Sequence, residues 1–128
     1  MNKLILIIAI AALLVACKSK LSGGESGYTQ ISQDAAKEMM DKGGVIVLDV
    51  REESEYSESH ISGAVLLPVG SINEITAAAV IPSKDDVVLV YCRSGNRSKT
   101  ASEKLAQLGY TNIYEFGGIN SWKYGVEK

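Results

Sequence analysis

The chain is short of several things. It has 128 residues, a formal net charge of −2, one histidine, two cysteines and one tryptophan. One core and one domain exhaust that length. The faintly acidic balance offers no electrostatic footprint for a nucleic acid, so none is expected as a partner. No internal repeat or low-complexity tract breaks the sequence. The longest apolar run, Leu4 to Ala16, is thirteen residues, well below the roughly 20 that span a bilayer comfortably. Two cysteines would by number permit a single disulfide. The apolar fraction of 46% overstates the core, because the first sixteen residues contribute heavily to it.

What is present centres on Val87-Val88-Leu89-Val90-Tyr91-Cys92-Arg93-Ser94-Gly95-Asn96-Arg97-Ser98. The branched apolar run reads as a strand buried on both faces. From Ser98 the pattern turns helical: Ala101, Leu105 and Leu108 share a face, and Gly109 supplies a C′ stop. Cys92 therefore ends a strand, five residues ahead of a helix, where open α/β sheets place their ligands. Consecutive N–H groups of such a loop can form an anion-binding nest. Gly95 permits a left-handed turn there, and the helix N-terminus adds roughly half a positive charge. Arg93 and Arg97 add two cations. A thiol so placed is expected to titrate below its free value of about 8.5, as a nucleophilic thiolate. The alternative, a small buried cysteine closing a core strand, is common, but two arginines and a glycine within five residues argue against it.

The N-terminus reads separately. Met1-Asn2-Lys3 is a short basic region, and the apolar run has signal-peptide length. Leu14-Val15-Ala16-Cys17 resembles a bacterial lipobox. The resemblance implies removal of residues 1–16 and attachment of diacylglycerol to Cys17, with acylation of the new amine in many bacteria; two or more chains anchor durably. An ordinary secretory leader and an uncleaved anchor are the alternatives. Residues 17–27 then comprise the lipidated cysteine and a Gly/Ser-rich tether. The expected location is the bacterial cell envelope, facing the periplasm or the exterior. Lys18 after the cysteine resembles outer-membrane sorting in a Gram-negative cell. With Cys17 lipidated, Cys92 has no intramolecular partner.

In the domain, residues 28–128, Tyr28-Thr29-Gln30 suggests a short strand. Ser32 reads as the N-cap of a helix with Ala35, Ala36, Met39 and Met40 on its apolar face, stopped by Gly43-Gly44. Val45 to Val50 reads as a central strand with Asp49 near its carboxyl end. The charged stretch Arg51 to Ile61 is expected as a short surface helix or turn. Ala64 to Leu67, closed by Pro68, reads as another buried strand, and Ser71 to Val80 as a weak helix before a turn at Ser83-Asp86. Thr111 to Phe116 is expected as a last strand, Gly117-Gly118 as a tight turn and Ile119 to Tyr124 as a closing helix carrying Trp122. Strands and helices alternating at this spacing predict an α/β fold, a parallel sheet covered on both faces.

Four blocks in order carry a family resemblance: Asp49-Val50-Arg51-Glu52 with Glu55-Tyr56; His60-Ile61-Ser62-Gly63-Ala64 before Leu67-Pro68; the cysteine loop Tyr91 to Ser98; and Gly117-Gly118 followed by Trp122. Together they resemble a single-domain rhodanese over about residues 28–128. Ser59 and Ser62 stand where that family often has glycine and proline, which affects local turns and not the loop. The resemblance implies a three-layer sandwich around a parallel sheet of about five strands. It also implies sulfur transfer through a persulfide on Cys92, from thiosulfate or a persulfide or polysulfide donor to cyanide, a thiol or a protein acceptor. No metal or organic cofactor is required. Arg93 and Arg97 would orient anionic donor and leaving group, with Ser94, Gly95 and Asn96 completing the binding loop. Loop N–H groups would stabilise the anionic outer sulfur as they would an oxyanion.

Other readings stand beside this one. A phosphatase or arsenate reductase also uses a cysteine–arginine cradle, but here only Arg93, Ser94, Gly95 and Asn96 separate Cys92 from Arg97, one residue fewer than in that cradle. A non-catalytic binding or sulfide-carrier module is the second alternative; such members usually lack the cysteine. His60 is read as a structural hydrogen-bonding residue more readily than as a partner of Cys92. Asp49, Arg51 and Ser98 are read as supporting residues, the first two equally as a structural ion pair or as solvated. Trp122 is read as packing, and Glu52, Glu53, Glu55 and Glu58 as a solvated acidic face.

Overall fold

A computed structural model describes residues 27–128. The expected leader, Cys17 and most of the tether lie outside the described residues. The elements are β1 (Thr29–Gln30), α1 (Gln33–Lys42), β2 (Val45–Asp49), α2 (Glu53–Glu58), β3 (His60–Ile61), β4 (Val65–Leu66), α3 (Glu74–Val80), β5 (Val87–Cys92), α4 (Asn96–Gln107), β6 (Asn112–Gly118) and β7 (Val126–Glu127). Short 3-10 turns at Val69–Ser71 and Ile119–Ser121 complete them. Five strands form one sheet in the order β1-β6-β5-β2-β4, and every pairing in it is parallel. The α/β sandwich expected from the alternating pattern is therefore present.

Period-two alternation explains the two covered faces. Val88, Val90 and Cys92 of β5 join Leu48, Ala77, Ala101 and Leu105 in one buried cluster, beneath α3 and α4. Leu89 and Tyr91, pointing the other way, join Ala36, Val47, Ile61 and Phe116, with Met39, Met40 and Trp122 packed around them. Because β5 occupies the middle of the sheet, its carboxyl end opens where neighbouring strands β2 and β6 also end. That placement puts Cys92 at the crevice.

Local chemistry sets the helix ends as the sequence suggests. The Ser32 side chain accepts from the Ala35 N–H at 3.0 Å, and Gly43 closes α1 at φ 84°. At the end of α4, Tyr110 N–H reaches Leu105 O and Gly109 N–H reaches Ala106 O, a Schellman closure.

Several boundaries differ from expectation. Helix α4 begins at Asn96, with left-handed Gly95 as its N-cap, so the connection from Cys92 is only Arg93-Ser94-Gly95. Strand β4 is not buried on both faces: it is the sheet edge, and Val65 is 38% exposed. Gly117-Gly118 is not a tight turn. Strand β6 runs through both glycines, with a bulge that sets Cys92 opposite Gly118. The closing helix is replaced by the turn at Ile119–Ser121 and by β7, which pairs antiparallel with β3. A partner sixty-odd residues away captures that tail, and no local periodicity encodes it.

Candidate active site

Cys92 is the last residue of β5 and is 1% exposed. The Gly95 N–H donates to its Sγ at 3.0 Å. That approach needs the chain to double back within three residues, and Gly95 does so at φ 111°, a conformation that costs a residue with a Cβ roughly 1–2 kcal/mol. Helix α4 starts at the next residue, so its positive end lies against the sulfur-bearing loop. From its first turn Ser98 reaches back, and Cys92 Sγ and Ser98 Oγ lie 3.4 Å apart. Of the loop N–H groups, that of Gly95 is the one hydrogen-bonded to the sulfur among the described residues, and the connection to the helix is two residues shorter than expected.

The loop rests on β6. Gly118 has an extended backbone that any residue adopts, so its role is space: a Cβ there would sit 2.0 Å from the Arg93 carbonyl oxygen. Arg93 O accepts from the Asn120 N–H at 3.1 Å. Below the loop lies a buried carboxylate that sequence reading missed. Glu115, 2% exposed, accepts from Ser98 Oγ at 2.5 Å and from the Gly117 N–H at 3.0 Å on Oε2. Its Oε1 accepts from Gln30 Nε2 at 3.1 Å. Ser98 Oγ is also 3.0 Å from Gly95 O. An acidic residue inside the apolar run Ile113-Tyr114-Glu115-Phe116 was the available signal. Ser94, Lys99, Gln33, Gly117 and Glu115 line an open cavity of about 460 Å³ beside the loop.

The two loop arginines differ. Arg93 is exposed, and its side chain forms no ion pair among the described residues. Arg97 is not a free anion-binding cation. Its Nη1 and Nη2 donate to the two carboxylate oxygens of Glu55 at 2.8 and 3.1 Å. Hydrogen bonding to Arg97 brings Glu55 down from 4.5 to about 2, and the same bond, joined by the charges of Glu55 and Cys92, raises Arg97. Glu55 thus leaves the solvated acidic face on which it was expected. Asn96 is the exposed first residue of α4.

Asp49 and Arg51 form a buried ion pair. Arg51 Nε and Nη2 donate to both carboxylate oxygens, at 3.0 Å and 2.8 Å for the shortest contacts. The Arg51 N–H donates to Asp49 Oδ1 at 2.9 Å, and Nη2 also reaches Ser59 O at 2.7 Å. Tyr91 adds its hydroxyl, donating to Asp49 Oδ2 at 2.6 Å while accepting from the Ile61 N–H at 3.0 Å. Burial, then the bond to Asp49, pushes the Tyr91 phenol well above its ordinary value and keeps it a donor. This network joins β2, β5 and β3 just before Cys92. His60 stacks on Tyr56 with ring centroids 3.8 Å apart, and its Nδ1 is 2.9 Å from Tyr56 O. Its Nε2 lies 3.5 Å from Glu127 Oε2. Trp122 packs on Phe116 and donates to Gly125 O.

The arrangement offers one buried sulfur, an N–H aimed at it and a helix N-terminus behind. That set can stabilise negative charge on sulfur and on a second atom bonded to it. So little of Cys92 is exposed that the reacting partner must present a slender terminal atom.

Comparison with known proteins follows the same lines. Over 72 residues the chain is 40% identical to "Thiosulfate sulfurtransferase PspE" of Escherichia coli, covering 56% of this chain and 68% of that one. Over 97 residues it is 34% identical to "Thiosulfate sulfurtransferase GlpE" of Coxiella burnetii, covering 75% and 88%. A solved "rhodanese with anions" from E. coli superposes with a TM-score of 0.60 at 32% identity, over 65% of this chain and 96% of that one. The model of the rhodanese-like domain matches residues 32–124. With the fold and the cysteine loop in agreement, the chain belongs to the rhodanese-like domain family.

Proposed function

We propose that this domain is a sulfurtransferase that moves sulfane sulfur from a small anionic donor, thiosulfate or a persulfide or polysulfide, to a thiol or cyanide acceptor. Cys92 carries the sulfur. Its sulfur anion attacks the outer sulfur of thiosulfate, a new S–S bond forms, and the donor's own S–S bond breaks with its electron pair leaving on sulfite. The persulfide anion then gives its outer sulfur to the acceptor and regenerates Cys92. The observation that carries this reading is the Gly95 N–H directed at Cys92 Sγ at 3.0 Å, at the N-terminus of α4. The names of two relatives and the anions of the E. coli rhodanese support it. Arg93, exposed and unpaired among the described residues, is the cation that meets an incoming anion. Arg97 acts through its charge, its hydrogen bonds being committed to Glu55.

The test is intact mass of the full chain, purified in detergent, before and after thiosulfate, beside Cys92→Ser. A gain of one sulfur on the cysteine form alone, reversed by cyanide over many cycles, is the expected result. A single release without turnover would make the domain a carrier. No gain from thiosulfate or polysulfide would overturn sulfur transfer altogether.

For the N-terminus, the proposal rests on Leu14-Val15-Ala16-Cys17 with the basic start and apolar run before it and the polar tether after it: cleavage before Cys17, a lipid on its sulfur, and a domain held at the envelope surface facing the periplasm or the exterior. Fatty-acid labelling of the membrane fraction, abolished by Cys17→Ser, is the expected result; label retained in that variant would overturn it.

A further inference from the structure

Glu115 is a buried acid for which sulfur transfer through Cys92 supplies no part. It lies on β6, and with Ser98 on α4 it forms a continuous line from the sulfur: 3.4 Å from Cys92 Sγ to Ser98 Oγ, then 2.5 Å to Glu115 Oε2. Ser98 and Glu115 are almost wholly buried, which favours a proton held between the two groups. Ser98 has one proton and two acceptors in reach, Gly95 O and Glu115 Oε2. The Glu115 oxygen is the nearer and, when charged, the stronger acceptor. With its proton turned to Glu115, Ser98 presents a lone pair to sulfur, which suits a thiol S–H and opposes a sulfur anion.

We propose that Glu115, acting through Ser98, is the internal store for the Cys92 proton, so that sulfur and carboxylate share one proton through the reaction. The inference rests on the sulfur-transfer reading for its purpose, and its geometry is independent of it. As the sulfur attacks, the S–H bond breaks and its proton passes to Ser98 Oγ, while the Ser98 proton passes to Glu115 Oε2. The result is a sulfur anion, an intact Ser98 hydroxyl now donating to it, and a neutral Glu115, with total charge unchanged. Sulfite leaves with its electron pair, and the proton returns along the same path once the acceptor has removed the sulfur and the thiol re-forms. Glu115 never touches the substrate; it positions the Ser98 proton.

The surroundings of the pair include other charges. Arg97 on α4 faces Cys92, with Glu55 on α2 paired to it and Glu52 nearby. Lys99 lines the cavity that Glu115 also lines, and Arg93 lies in the loop itself. Tyr28, ahead of β1, is raised by burial and then by the charges of Glu103 and Glu115. Among the hydrogen-bond donors to Glu115, Gln30, Gly117 and Ser98, only Ser98 links it to the sulfur.

The test uses the full chain in detergent with Cys17→Ser, which leaves Cys92 as the only thiol, beside the same chain carrying Glu115→Gln or Ser98→Ala. Two readouts are followed from about pH 5.5 to about pH 9.5: ultraviolet thiolate absorbance, and the rate of sulfur gain from thiosulfate by intact mass. With the shared proton, the parent keeps a thiolate population and a nearly flat rate into the acid range. Either variant titrates in one step, and its rate falls about tenfold per pH unit below that step. A variant profile unchanged in shape, merely lower throughout, would make Glu115 a structural brace and overturn the proposal. A profile moved to lower pH in Glu115→Gln would mean a permanently ionised carboxylate that only opposes the thiolate, and would also overturn it. If Glu115→Gln does not fold, Ser98→Ala decides alone. If no donor loads sulfur, the sulfur-transfer reading fails and the absorbance titration still decides the proton store.

Discussion

The α carbon of Gly118 lies directly beneath the Arg93 carbonyl, so close that the first side-chain atom of any other residue would sit 2.0 Å from that oxygen and 2.6 Å from the Ser94 nitrogen. The loop that holds Cys92 is therefore seated on bare backbone of a strand well beyond it in the sequence. Gly118→Ala is expected to displace the loop from β6 and to cost about 1–3 kcal/mol, the usual penalty of overpacking. Urea unfolding and sulfur loading by mass check it. Loading that survives at the parent rate would mean that loop and strand need not touch.

Gly95 offers a contrast. A Cβ there would meet nothing nearer than the Gly117 α carbon at 3.7 Å, so space is adequate and the strain is in the backbone alone. Gly95→Ala is expected to cost roughly 1–2 kcal/mol and to turn the N–H away from Cys92 Sγ, lowering the loading rate more than tenfold. Gly95→Asn, which tolerates left-handed geometry better, should recover part of both losses.

Glu55 ties up the cation that sequence reading had assigned to the substrate. Replacing it with glutamine frees Arg97 while keeping the size of the side chain. The KM for thiosulfate is expected to fall about two- to fivefold at low salt, and the gain to vanish as salt screens it. An unchanged KM at low salt would show that Arg97 exerts its charge equally well when paired.

The same pair gives stability a pH dependence of known sign. Glu55 titrates at about 2 in the folded chain against an ordinary 4.5. Its contribution is thus complete above about pH 4.5 and is lost as pH falls from there toward 2. Because the pair is partly exposed, its worth is within about 1 kcal/mol. Urea midpoints measured across that window should fall less steeply in Glu55→Gln than in the parent.

Tyr91→Phe tests whether the Asp49–Arg51 network supports the fold or the chemistry. The change removes the hydroxyl that both donates to Asp49 and accepts from the Ile61 N–H. Leaving a buried N–H without a partner costs about 1–3 kcal/mol. Stability should drop by that amount, while sulfur loading per folded molecule stays near the parent value. A selective loss of loading would instead bring the network into the reaction.

Some of this is legible in the sequence alone. The Val87–Cys92 strand, the Gly95 turn, the Ser32 cap and the Gly109 stop are each written in a few neighbouring residues, where periodicity, capping chemistry and glycine freedom act locally. An ion pair between Asp49 and Arg51, two residues apart, was one of the readings the sequence left open, and the structure shows it. Other features were misread because their partners are remote. Glu55 looked like one of four solvated acids until Arg97, 42 positions away, claimed it. The closing helix gave way to a strand because β3 offered it hydrogen bonds.

By itself, the sequence determined the class of fold and the shape of the turn that follows Cys92, and it singled out Cys92 as the candidate to carry the chemistry. These depend on short-range pattern and on what a thiol beside a helix N-terminus must do. Only the tertiary structure decided which charges are free to act. It paired Arg97 and left Arg93 open, required glycine at 118, and brought Glu115 through Ser98 to the sulfur. Each of those outcomes depends on contact between elements separated along the chain, and the energy of a charge or a proton is set by what surrounds it, not by its neighbours in sequence.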